Sequence, residues 1–125
     1  MKVLLSIKPQ YAHSILDGTK KYEFRRRVYK DSRVHTVVIY ATKPVGKVVG
    51  EFSIKDVHTD HPDSLWEYTK DFSGITKSLF TEYFSGRDVG HAIEVKKVKK
   101  YRKPMELRDL LPSGVAPQSY AYLPG

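Results

Sequence analysis

A chain of 125 residues, 40% hydrophobic and 12% aromatic, carries enough apolar material for one buried core, and its length matches a single domain over residues 1–125. Its formal net charge of +8 points to a polyanionic partner, with plain solubility as the alternative meaning of that charge. The absence of cysteine excludes disulfides, thiolate metal sites and cysteine nucleophiles, and no apolar run reaches the ~20 residues of a membrane span.

Val3 to Ile7 reads as a buried first strand, and the stretch from Met1 to Ile7 is too short for a signal peptide, which fits a cytoplasmic protein with no membrane partner. Pro9 suits the first position of a helix along which Tyr11, Ala12, Ile15 and Leu16 recur at helical spacing. Gly18 can take the left-handed conformation that ends it. A second strand follows at about 20–27, where the pleat turns Tyr22 and Phe24 one way and Lys21, Glu23 and Arg25 the other. Residues 34–41 form a third strand with apolar groups on both faces, which implies a central or barrel-closing position.

Pro44 and Gly46 mark a turn into a fourth strand at 48–57, with Gly50 as a bulge or a point of close backbone approach. Two helical stripes come next: Leu65, Tyr68, Thr69 and Phe72, then, past Ser73-Gly74, Ile75, Leu79, Phe80, Tyr83 and Phe84, stopped by Gly86. Both read as core packing. Gly90 to about Tyr101 is a strand that begins apolar and turns strongly basic, and Pro104 opens a short helical turn around 105–110. The proline- and glycine-rich tail docks through Tyr120, Tyr122 and Leu123. This order is no alternating ladder of strands and helices, and it supplies too few crossovers for a doubly wound sheet. It predicts an α+β fold, a small mixed or antiparallel β-barrel with helices packed at its ends.

The charged strand carries the functional signal. Lys20 adjoins the glycine turn, where free backbone N–H groups would favour an anion and an ammonium would meet phosphate as a point charge; the alternative is a solvated surface lysine. Glu23 can accept from a base edge or act as a general base; alternatively it pairs with Arg25 or Lys21. Arg25 can fork onto phosphate or stack on a base. Residues 20–33 and 96–103 hold seven and six of the 22 cations, and as neighbours they would make one phosphate-tracking surface; apart, each is a solvated face. Tyr22, Tyr29, Tyr40 and Tyr101 interleave with them, and a base stacked on an exposed ring gains about 1–3 kcal/mol.

The expected nucleic-acid-binding set is Lys20, Glu23, Arg25, Arg26, Arg27, Tyr40, Lys97 and Lys99, with RNA the preferred partner. An enzymatic alternative makes Lys20 and Glu23 a coupled catalytic pair hydrolysing a nucleobase amide or a phosphodiester. A third reading is a regulatory adaptor for an acidic protein. No metal site and no cofactor are expected: His58, Asp60 and His61 form the one local histidine cluster, and no phosphate-binding loop, dinucleotide fingerprint or serine elbow occurs.

The runs Leu5-Ser6-Ile7-Lys8-Pro9 and Ile15-Leu16-Asp17-Gly18-Thr19-Lys20-Lys21-Tyr22-Glu23-Phe24-Arg25 resemble the ASCH domain of the PUA-like superfamily. The second is similar to that family's glycine-x-lysine-x-x-glutamate-x-arginine signature. Val38-Ile39-Tyr40-Ala41-Thr42, Val48-Val49-Gly50-Glu51-Phe52 and Pro117-Gln118-Ser119-Tyr120 extend the resemblance over nearly the whole chain. It implies a PUA-like barrel of five or six strands with a basic cleft for a single-stranded or modified nucleotide. It also implies RNA binding, with enzymes in some branches. One branch hydrolyses N4-acetylcytidine with a lysine, a threonine and a glutamate. The lysine falls on Lys20, but Glu23 holds the threonine's place and the glutamate has no aligned position. Another branch is linked to ribonuclease activity.

Overall fold

The computed structural model describes residues 1–124, so Gly125, the last residue of the expected domain, lies outside them. The chain runs β1 (Lys2–Ile7), α1 (Pro9–Asp17), β2 (Tyr22–Arg25), β3 (Thr36–Ala41), β4 (Lys47–Asp60), α2 (Pro62–Thr69), α3 (Lys77–Tyr83), β5 (Gly90–Met105) and β6 (Ala121–Leu123). Short 3-10 turns follow α2 at Lys70–Phe72 and β5 at Leu107–Asp109. Pro9 starts α1 as expected, and Gly18 ends it at φ +91°, a conformation that disfavours any residue with a Cβ.

The fold is mixed α+β, with six strands in the order β2-β5-β4-β3-β1-β6. β1 and β3 pair in parallel; the other pairings are antiparallel. Strand pairing does not close this sheet into the expected barrel: β2 and β6 remain its two edges. These edge strands span four and three residues, and each is paired on one side only. A side chain crosses the gap instead. The Arg25 guanidinium on β2 donates to the Ser6 carbonyl of β1 at 3.2 Å and to the Ser119 carbonyl just before β6 at 2.7 Å.

Both faces of the central strands are covered, which is why β3 is apolar on both. Val3, Leu5, Val37, Ile39, Phe52 and Ile93 pack with Ala12 and Ile15 of α1, while Leu4, Val38, Val48, Leu107 and Leu123 form a cluster on the other side. A third cluster, Phe24, Leu65, Phe80, Phe84 and Ala92, seats α2 and α3 against β2 and β5. β4 and β5 are long and bulged, which bends them and lets them serve more than one of these layers. Gly50 sits at one such irregularity, and a Cβ there would lie 2.6 Å from the Lys99 carbonyl oxygen.

β5 outruns its expected end because Met105 still pairs with Val48. Pro104 falls in the unpaired stretch between Lys100 and Met105, where its missing N–H is not needed. The helical turn is accordingly displaced to Leu107–Asp109, where Glu106 and Asp109 cap it reciprocally. At the other end of this pair Asp60 faces Gly90, so segment 61–89 leaves and returns at adjacent points of the sheet.

Candidate functional site

A cleft of about 470 Å³ opens where β2, the β1–α1 junction and α3 meet. Glu23 and Arg25 enter it from β2, Ser6, Lys8 and Tyr11 from the junction, and Ile75, Leu79, Glu82 and Tyr83 from the helical side. Lys20 and Arg26, at the two ends of β2, complete the charged lining. The pleat therefore sends Glu23 and Arg25 into the hollow. Lys21, which precedes the strand, instead lies over the Phe72 ring at 4.3 Å.

Lys20 is an expected member, but its burial is not expected. It is only 2% exposed, and its ammonium donates to the Ser73 carbonyl at 2.6 Å beneath the rings of Phe24 and Tyr11. The expectation of a free amide turn beside it is corrected. The N–H groups of Gly18, Thr19 and Lys20 donate to carbonyls of α1, and that of Lys21 to Phe72. Any anion-binding role thus falls to the side chain. Desolvation pulls the Lys20 pKa down to about 8, with Glu23 opposing the shift. Burial pushes the Glu23 carboxyl up, against the pull of Lys20 and Arg25. Arg25 reaches the Glu23 carboxylate at 3.4 Å. Lysine and glutamate are each drawn toward neutrality, the condition under which a proton moves readily between a side chain and a ligand.

The Ser73-Gly74 loop holds this arrangement. Gly74 adopts φ +64°, and a Cβ there would come within 2.5 Å of the Lys20 stem. Gly74→Ala is expected to cost about 1–3 kcal/mol through that overlap and the left-handed backbone, lowering the urea midpoint. An unchanged midpoint would refute the view that this loop clamps Lys20.

Lys20, Glu23, Arg25 and Arg26 thus share one cleft, while Arg27 lines an adjoining hollow. Tyr40, Lys97 and Lys99 do not line either. Tyr40 is half-buried against the Leu4–Val38 cluster; Lys97 and Lys99 are exposed on β5 opposite Ser53 and Glu51. The two basic segments approach each other only at their near ends, where Lys20, Lys21 and Lys96 line one hollow with Lys55 and Glu94. Lys97 to Lys100 pair with β4 instead of β2, so the expected continuous cationic surface does not form. Sequence reasoning missed the cleft's aromatic and helical lining, namely Tyr11, Ile75, Leu79 and Tyr83. The α3 stripe was visible, but periodicity does not tell which of its residues turn to a cavity.

His58 pairs with Glu94 at 2.8 Å and packs on Tyr68, and His61 caps α2. Among the described residues no group of three or more histidine, aspartate or glutamate side chains is placed to hold a metal ion. None of the described helices is long and apolar enough to cross a membrane.

Comparison with known proteins bears on this geometry. A family model described as the ASCH domain matches residues 5–105. An ASCH domain-containing ribonuclease of Zymomonas mobilis is 26% identical over 125 residues, covering 98% of this chain and 84% of that protein. The crystal structure of ASCH from Zymomonas mobilis superposes with a TM-score of 0.91 at 25% identity, covering 98% of this chain and 87% of that one. The large ribosomal subunit protein uL22 of Ureaplasma parvum is 32% identical over 107 residues, 86% of this chain, which spans only 34% of that relative's length.

Proposed function

This chain belongs to the ASCH domain family, and on that premise we propose that it handles RNA, its cleft taking one nucleotide of a single strand. The observation that carries this reading is the convergence of Lys20, Glu23 and Arg25 in one cleft of about 470 Å³, walled by Tyr11 and Tyr83. Arg26 meets phosphate, the buried Lys20 ammonium adds its charge from beneath the cleft, Glu23 accepts from a base edge, and the aromatic walls flank the base. Arg25 sets Glu23 in place. A formal charge of +8 draws the strand in. Labelled single-stranded RNA should bind at about 50 mM salt and weaken at least tenfold at about 200 mM. Failure to bind at the lower salt, or a flat response, refutes the reading. Binding of an acidic protein partner that excess RNA cannot compete away would favour the adaptor role.

A second reading is phosphodiester cleavage, favoured by the buried Lys20–Glu23 pair and by the ribonuclease name of the Zymomonas relative. Glu23 would take the proton of a ribose 2′-hydroxyl, whose oxygen attacks the adjacent phosphorus. The departing 5′-oxygen would take a proton from Lys20, leaving a 2′,3′-cyclic phosphate and a 5′-hydroxyl. Incubation with short RNA should then give cyclic-phosphate ends that Glu23→Gln abolishes. Turnover of N4-acetylcytidine without RNA cleavage would instead support the amidohydrolase alternative.

A further inference from the structure

Beside the cleft lies a second hollow of about 370 Å³, which shares Arg25 and Arg26 with it and adds Arg27, Arg87, Gln118 and Ser119. No carboxylate lines this hollow, whereas Glu23 and Glu82 both line the cleft. Its four arginines do not stand alike. Arg25 is committed to the Ser6 and Ser119 carbonyls. Arg26 lies 4.5 Å over the Tyr83 ring, whose hydroxyl accepts from its backbone N–H at 3.2 Å. Arg27 and Arg87 are exposed, and among the described residues their side chains make neither a hydrogen bond nor an ion pair. Two free forks therefore face a rim with no anion of its own, and guanidinium forks match phosphate oxygens in pairs.

We infer that this hollow seats the phosphate next to the nucleotide held in the cleft, so that the ligand is an oligonucleotide strand rather than a nucleoside or mononucleotide. The inference rests on the reading of the cleft as a nucleotide site. Continuity supports it: a strand leaving the cleft past Arg25 and Arg26 passes directly into the second hollow. A nucleic-acid backbone carries an anion at every such step. Arg87, Gln118 and Ser119 lie outside the charged β2 motif, and each gains a role as a reader of strand length.

The test compares uridine 3′-monophosphate, the same nucleotide extended by one phosphodiester, and a single-stranded octamer, all 2′-O-methylated so that the 2′-oxygen cannot attack. The protein as it stands should gain about tenfold in affinity from the second phosphate, and its logarithmic salt slope should steepen by about 0.7. The double variant Arg27→Gln/Arg87→Gln should lose most of that gain while binding the mononucleotide unchanged, with its melting transition unmoved. A gain that persists in the double variant overturns the subsite and leaves the cleft reading intact. An acidic octapeptide bound as tightly as the octamer, and released by the same two changes, overturns it in favour of a protein ligand. If neither mononucleotide nor strand binds the unaltered protein, the cleft reading fails and the subsite falls with it.

Discussion

An Arg25→Ala variant is expected to lose about 3–5 kcal/mol of stability, because Arg25 ties the two edges of the sheet together from a site shielded from water. Its guanidinium side chain is 13% exposed and binds the Ser6 and Ser119 carbonyls and the Glu23 carboxylate at once. Truncation leaves both carbonyls without that donor and Glu23, itself 8% exposed, without its paired guanidinium. Urea unfolding should show a lowered midpoint at an unchanged slope. Arg25→Lys should recover only part of the loss, since Arg25 meets the Ser6 and Ser119 carbonyls with two different nitrogens of its planar fork, and a lysine has one nitrogen to place. A loss below about 1 kcal/mol for the alanine variant would mean that the seam is held by packing alone.

Lys20→Met should separate function from stability and reveal its own pH signature. In the folded protein the Lys20 pKa is about 8, against an ordinary value of 10.5, so between these values the unfolded chain binds more protons than the native one. Native stability therefore rises with pH across that window, by about 3 kcal/mol in full. The penalty of the buried ammonium is fully present below pH 8 and relieved above it. Methionine fills a similar volume without charge, so the variant should lack this rise. At pH 7 it should be as stable as the parent or more so, offset by the donor lost to the Ser73 carbonyl. RNA binding should fall by at least tenfold. Parallel stability curves for the two proteins from pH 7 to 10 would show that Lys20 is not desolvated as described. Subtracting one curve from the other removes the tyrosines, whose burial-raised pKa values act at higher pH.

Much of the scaffold was legible because local chemistry dictated it. Pro9 and Gly18 bracket α1 by fixed φ and by freedom to take positive φ, and Gly50 marks a backbone contact that no Cβ permits. β3 announced its central place through apolar residues on both faces. The convergence of Glu23 and Arg25 followed from the pleat. The burial of Lys20 did not, because it depends on a loop more than fifty residues away whose carbonyl and glycine close over it. Nor could sequence show that the sheet stays open, since its edges are bridged by a side chain where a ladder was expected. Tyr40, Lys97 and Lys99 were placed with the site on charge and aromaticity, properties that carry no information about which side of a curled sheet a residue faces.

Segment 61–89 begins and ends at facing residues of two strands that are already paired, and it supplies Ile75, Leu79, Glu82 and Tyr83 to the cleft. It works as a replaceable jaw on a fixed chassis. Lengthening, trimming or swapping it need not disturb the strand register, whereas every such change recasts the mouth through which a ligand enters. The bond from Lys20 to Ser73 fastens jaw to chassis, so any graft that omits this carbonyl must offer the ammonium another acceptor. Within that constraint, and with the bond from the Lys21 N–H to Phe72 and the apolar seat that Phe24 and Ala92 offer to Leu65, Phe80 and Phe84 kept, appetite and architecture are free to diverge.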